Sequence, residues 1–170
     1  MKKIAIFDKE NKIINPVKKY FSETPDIIEI SDMEDILKSE YDLIVLNNYR
    51  NLDEKYINGT KIINVHPSLL PAFDTDNAIS EAFTSGVKVS GVTIHTIEKD
   101  KTKNKILAQY PVLIGVTTHI DEFIQEIDSA TNRLLPAVIE SVINDEIFDF
   151  SDLFRHKCSN SCSSCGKCNH

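Results

Sequence analysis

The first 157 residues of this 170-residue chain contain no cysteine, so no disulfide can join distant segments and brace its body. No run of about 18 apolar residues is present either, which excludes a helical membrane span. The start, Met1-Lys2-Lys3-Ile4-Ala5-Ile6-Phe7, has a short apolar patch and then Asp8-Lys9-Glu10. That patch is too short for a secretory signal, so the expected compartment is the cytoplasm. Positive charge is not in excess: 19 Lys and Arg face 26 Asp and Glu, a net charge of −7. Nucleic acid and membrane surfaces are therefore not expected partners. There is no internal repeat. What is present, 41% hydrophobic and 26% charged residues, suits one compact domain, able at this length to bury roughly 70% of its unfolded surface.

Strand and helix patterns alternate along that domain. Lys3-Phe7, Ile27-Ile30, Leu43-Leu46 and Lys61-Val65 are apolar runs of buried-strand length. Val17 to Phe21 and Met33 to Leu37 carry helix-like spacing. Ala78 to Thr84 reads as a helix stopped by Gly86. Val87-Ile97 and Ile106-Val112 read as two longer strands joined by the polar stretch Glu98 to Lys105. Apolar residues from Ile120 to Ile143 recur at three and four positions, one face of a long final helix. Thr118 and Asp121 are placed as a capping box at its start, and Pro136 is expected to kink it. The fold class is α/β, a mostly parallel Rossmann-like sheet with flanking helices, over residues 1–150.

One segment at a strand end points to chemistry. Asn64-Val65-His66-Pro67-Ser68-Leu69-Leu70-Pro71 follows directly on a buried-type strand. Residues two apart on a strand share a face, so Asn64 and His66 project together, and Pro67 biases His66 toward an extended backbone. Open parallel sheets bind ligands beyond the carboxyl ends of their strands. An amide donor and an imidazole aimed there could polarise a carbonyl and hold a developing oxyanion. On spacing alone, the simpler reading is an Asn that caps the strand and a His packed in a polar loop.

Asn64 to Phe73, then Gly86-Val87-Lys88-Val89-Ser90-Gly91-Val92-Thr93-Ile94-His95, then Ile106-Leu107-Ala108-Gln109 with Pro111-Val112, and Arg133-Leu134-Leu135-Pro136, together resemble the folate-dependent formyltransferases. The phosphoribosylglycinamide formyltransferases are the nearest resemblance, running from about Asp42 to Ile143. It implies that Asn64 and His66 bind the formyl carbonyl of 10-formyltetrahydrofolate while an amine attacks it. It implies a folate pocket lined by Tyr49, Arg50 and Leu52, with His95 in support. An ungapped alignment from Gln109 puts Thr102 where the family's Asp assists proton transfer. Threonine is not a base at neutral pH, so Asp100 is the candidate replacement. The alternative is that Glu98 to Lys105 is a solvated hairpin tip.

Two further departures concern the acceptor. The family's first strand feeds a glycine-rich loop that cradles the substrate phosphate. Here Phe7 is followed by Asp8-Lys9-Glu10-Asn11-Lys12, with no glycine and two acids. The chain also reaches Asn64 after fewer residues than the family does, which implies a reduced strand–helix portion. The amine acceptor is therefore unidentified, and glycinamide ribonucleotide is not the expected one.

All four cysteines fall within the last thirteen residues, at Cys158, Cys162, Cys165 and Cys168. Thiolates at this spacing suit zinc or a 4Fe–4S iron–sulfur cluster. Residues 151–170 are thus expected as a metal-binding tail, open to a redox or protein partner. Two functions follow: formyl transfer from (or hydrolysis of) the folate, or a catalytically inactive binding or sensor protein that uses the cysteines.

Overall fold

The structure, a computed structural model, describes residues 2–146. The four cysteines and the boundary at residue 150 lie outside the described residues.

Six strands form one sheet: β1 (Lys3–Phe7), β2 (Asp26–Ile30), β3 (Leu43–Asn47), β4 (Lys61–His66), β5 (Val89–Thr96) and β6 (Ile106–Leu113), in the order β2-β1-β3-β4-β5-β6. β1 to β4 are parallel, whereas β5 pairs antiparallel with both β4 and β6. The chain leaves β1 toward β2 on one side and then returns to build β3 and β4 on the other. The order of winding therefore reverses between β1 and β3.

The apolar runs of β1 and β3 exist because both faces of the sheet are covered. On one face Ile4, Ile6, Val45, Val65 and Ile94 pack against α1 (Ile14–Tyr20), α2 (Ala78–Thr84) and α3 (Ile120–Ile143). On the other, Ala5, Phe7, Ile44, Leu46 and Ile62 meet Met33, Ile36 and Tyr56. Phe123, Ile127, Leu135 and Ile139 of α3 are among the most deeply buried side chains. Full burial of each contributes about 1.5–3 kcal/mol.

The reading of Met33 to Leu37 as a helix is corrected in type. Met33–Lys38 is a 3₁₀ turn, capped by Asp32, whose carboxylate accepts from the Glu34 N–H at 3.0 Å. Its buried residues, Met33 and Ile36, are three apart, the 3₁₀ period, and six residues are too few to favour an α-helix. The start of α3 is also corrected by one residue. His119 is the cap, its N–H held by the Glu122 carboxylate at 3.0 Å, while the Thr118 hydroxyl accepts from Gly115 N–H at 2.9 Å. The helix is continuous through Pro136. Gly86 follows α2 with a φ of +76°, as expected of its role.

Gly91 is required by contact. A Cβ there would lie 2.1 Å from the Tyr110 carbonyl oxygen and 2.8 Å from Leu69. Only glycine lets β6 and the loop after β4 close on β5. Among the described residues no helix is long and apolar enough to cross a membrane.

Candidate active site

Alternation along β4 turns Val65 to the helical face and puts Asn64 and His66 together on the opposite one. Both are 1% exposed. Asn64 lies in register with His95 of β5, which explains its first contact. His95 Nδ1 is 2.9 Å from the Thr96 carbonyl oxygen. A carbonyl only accepts, so Nδ1 carries the proton and Nε2 offers a lone pair. Asn64 Nδ2 donates to that Nε2 at 3.1 Å. The Asn64 Oδ1 accepts from Tyr49 N–H at 2.9 Å. Tyr49 is brought there by Asn48, which has a φ of +52° and whose N–H donates to the Val65 carbonyl. The amide is thus fixed at both ends, and its second N–H has no partner among the described residues.

His66 is held by the loop that follows it. Its Nε2 is 3.0 Å from the Phe73 carbonyl oxygen, so Nε2 is the protonated nitrogen and Nδ1 is free to accept. Phe73 has a φ of +54°. Ser68 Oγ donates to the Ala72 carbonyl at 2.6 Å, and Thr93 Oγ1 donates to the Ser68 carbonyl at 2.7 Å and accepts from Leu70 N–H at 3.0 Å. Gln109 Nε2 donates to both Thr93 Oγ1 and the Leu70 carbonyl. Burial pushes the His66 imidazole below its ordinary range, opposed by the Phe73 carbonyl and Asp74 and assisted by His95 and Arg50. A neutral imidazole at pH 7 follows.

Asn64 and His66 open onto a cleft of about 440 Å³, also lined by Tyr49, Arg50, Leu52 and His95. These six residues expected from the sequence are therefore brought together. Asp100 and Thr102 are not among its lining, whereas their neighbours Lys99, Lys101 and Asn104 are. The two belong to an exposed 3₁₀ turn at Lys101–Lys103, where the Asp100 carboxylate accepts from the Thr102 hydroxyl at 2.7 Å and from its N–H at 3.1 Å. Those bonds hold the Asp100 carboxyl below its usual range, which weakens it as a base. The local reason is capping: a carboxylate before a short turn is most readily satisfied by the turn's own donors.

Sequence reasoning gave no role to Asp74, whose Oδ1 takes the Arg50 Nε–H at 3.2 Å, nor to the Phe73 carbonyl. Neither carries a local signal, because their partners are distant or backbone. Thr93 and Gln109 lie in the recognised motifs, and their alternation with core residues was the available clue. Among the described residues no cluster of His, Cys, Asp and Glu could hold a metal ion.

Residues 12–139 match the formyl transferase family. The chain is 34% identical to phosphoribosylglycinamide formyltransferase of Bacillus subtilis over 114 residues, which cover 65% of this chain and 58% of that protein. It is 28% identical over 103 residues to the mitochondrial formyltetrahydrofolate deformylase 2 of Arabidopsis thaliana, covering 59% of this chain and 31% of that one. The chain thus spans little more than half the length of the bacterial relative. Its fold matches the crystal structure of phosphoribosylglycinamide formyltransferase from Anaplasma phagocytophilum with a TM-score of 0.71, at 21% identity over 84% of this chain and 87% of that one. It matches a 4-N formyltransferase from Francisella tularensis with the same TM-score, at 19% identity over 85% and 70% of the two chains. With its strand order, its paired Asn64 and His66, and a match across most of its length, the chain belongs to the formyl transferase family.

Proposed function

We propose that the protein transfers the formyl group of 10-formyltetrahydrofolate to an amine, with Asn64 and His66 as its catalytic residues. The observation that supports this most is the Asn64 amide, fixed by Tyr49 and His95 with one N–H left over beside His66. The amine nitrogen attacks the formyl carbon, a C–N bond forms, and the carbonyl oxygen becomes an oxyanion. Asn64 Nδ2–H stabilises that charge without reorganisation. His66, neutral because it is buried, takes the proton released by the attacking nitrogen at Nδ1. The imidazolium then adds its own charge to oxyanion stabilisation. It returns the proton to N10 of the folate as the old C–N bond breaks, leaving the formylated amine and tetrahydrofolate. His66 thereby performs the proton transfer for which Asp100 was the sequence candidate. Tyr49, Leu52 and the Arg50 guanidinium would line the folate's seat.

Hydrolysis of the same folate is a second reading, supported by the likeness to the plant deformylase. Release of tetrahydrofolate, followed with and without a panel of amines, separates the two. Transfer requires the amine; hydrolysis proceeds without it, and no release in either case rejects both. The four cysteines hold a separate proposal, a zinc ion or iron–sulfur cluster on four soft thiolates. Metal analysis of anaerobically purified protein, with and without chelator, tests it.

A further inference from the structure

His66 is 1% exposed, yet the proposed transfer turns it into an imidazolium. A cation so removed from water is strongly disfavoured unless a counter-charge stands near it. The Phe73 carbonyl, 3.0 Å from Nε2, supplies a dipole but no charge. Asp100, the carboxylate expected near the reaction from the sequence, is held by the Thr102 donors.

Among the described residues three carboxylates line the cleft: Glu54, Asp74 and Glu98. Two of them lie toward its far end. Glu98 follows Ile97, whose N–H donates at 2.9 Å to the carbonyl of Ile62, near the start of β4, whereas His66 is at its end. Glu54 is paired at 3.5 Å with Lys99, the residue after Glu98. Asp74 is at the His66 end, directly after Phe73, whose carbonyl holds the imidazole. Its side chain is 63% exposed, but Arg50, from the loop after β3, ties it to the cleft wall by an Nε–H bond of 3.2 Å. Burial disfavours the His66 imidazolium most; the Phe73 carbonyl and the Asp74 charge favour it, and His95 and Arg50 oppose it.

Resting on the formyl-transfer reading, we infer that Asp74 is a positioning residue acting through His66: its carboxylate is the counter-charge of the imidazolium that forms when His66 takes the proton of the attacking amine. The proton passes from the amine nitrogen to Nδ1 and on to N10 of the folate, and Asp74 takes up none. Arg50 fixes the carboxylate and tempers its charge, so the imidazole is neutral before transfer and tolerates the proton during it.

NMR titration of the His66 ring with pH, in the full chain without ligand, tests this. The expected result is that Asp74→Asn lowers the His66 pKa further, Asp74→Glu keeps it near wild type, and Arg50→Gln raises it. A loop merely loosened by Asp74→Asn would expose the imidazole and raise its pKa instead. An Asp74→Asn value that is unchanged or raised overturns the inference. Since Asp74 is exposed, the difference should shrink at about 1 M salt; a difference that salt leaves untouched counts against it. Release of tetrahydrofolate from 10-formyltetrahydrofolate should be slower in Asp74→Asn by roughly two- to fivefold, the scale of an exposed charge pair, and Asp74→Glu should recover it. An unaltered rate contradicts the role. If Asp74→Asn does not fold, Arg50→Gln decides, and a His66 pKa that fails to rise overturns the inference. The titration needs no turnover, so it judges Asp74 separately from formyl transfer itself, which wild-type folate release judges.

Discussion

The cleft beside β4 and the loop after β1 differ in what they leave unsatisfied. In the cleft on the Asn64 face, every contact to Asn64 and His66 orients them and still leaves an amide N–H and an imidazole lone pair available. At the β1 loop, the strongest acceptor, Asp8, has its donors supplied by its own chain. A preorganised site needs groups fixed but unspent, whereas a group that is fully satisfied serves stability. The same sheet thus presents a proposed reacting side, with groups fixed but unspent, and a loop after β1 whose carboxylate is satisfied by its own chain.

The largest expected effect falls on the reacting side. Asn64→Ala should lower the rate of formyl transfer by about 10²–10³-fold, the usual loss for one oxyanion donor, with the protein still folded by circular dichroism. In the loop after β1, Asp8→Ala should instead cost stability, about 1–3 kcal/mol in urea unfolding, because buried N–H groups lose their acceptor. Were Asp8→Ala to lower the rate as much as Asn64→Ala with no loss of stability, the contrast between the two regions would fail.

The pH dependence sharpens the same comparison. Burial lowers the His66 pKa in the folded state, so the unfolded chain binds more protons than the folded one near and below the ordinary value of 6.5. Stability supplied by neutral His66 is present above that value and is lost as pH falls through it. The acid limb of the rate profile should accordingly lie below the ordinary histidine range, and His66→Gln should remove it. An acid limb unaltered in His66→Gln would assign it to another group. The smallest effect is expected of Asp100→Asn. An exposed cap whose carboxylate is held by Thr102 should change the rate by no more than about threefold, in keeping with surface substitutions within about 0.5 kcal/mol. A hundredfold loss would restore Asp100 as the base.

The sequence made the cleft legible because its parts are local or periodic. Asn64 and His66 are two apart on one strand, and Tyr49, Arg50 and Leu52 follow the end of another; the structure puts all five around one space. His95 could be placed beside them from the recognised motif, and register with Asn64 explains why it is there. Asp100 reads two ways for a physical reason: a carboxylate two residues before a threonine suits both a base and a cap, and in the structure it caps its turn. Met33 to Leu37 was ambiguous because so short a segment contains too little period to separate α from 3₁₀ spacing. The self-closure of the β1 loop was hidden, since it depends on Asn47 from a different strand and on Ile13 at the start of a helix. In the sequence Asp8 shows only its charge.

The most direct test separates donor binding from transfer in His66→Ala. Titration with a non-reactive folate analogue and single-turnover transfer from 10-formyltetrahydrofolate are measured on the same preparations. The expected outcome is an analogue affinity within a few-fold of wild type and a transfer rate lower by about 10²–10⁴-fold, the range for losing a positioned proton-transfer group. A variant that transfers formyl as fast as wild type would contradict the assignment of His66 to the chemistry.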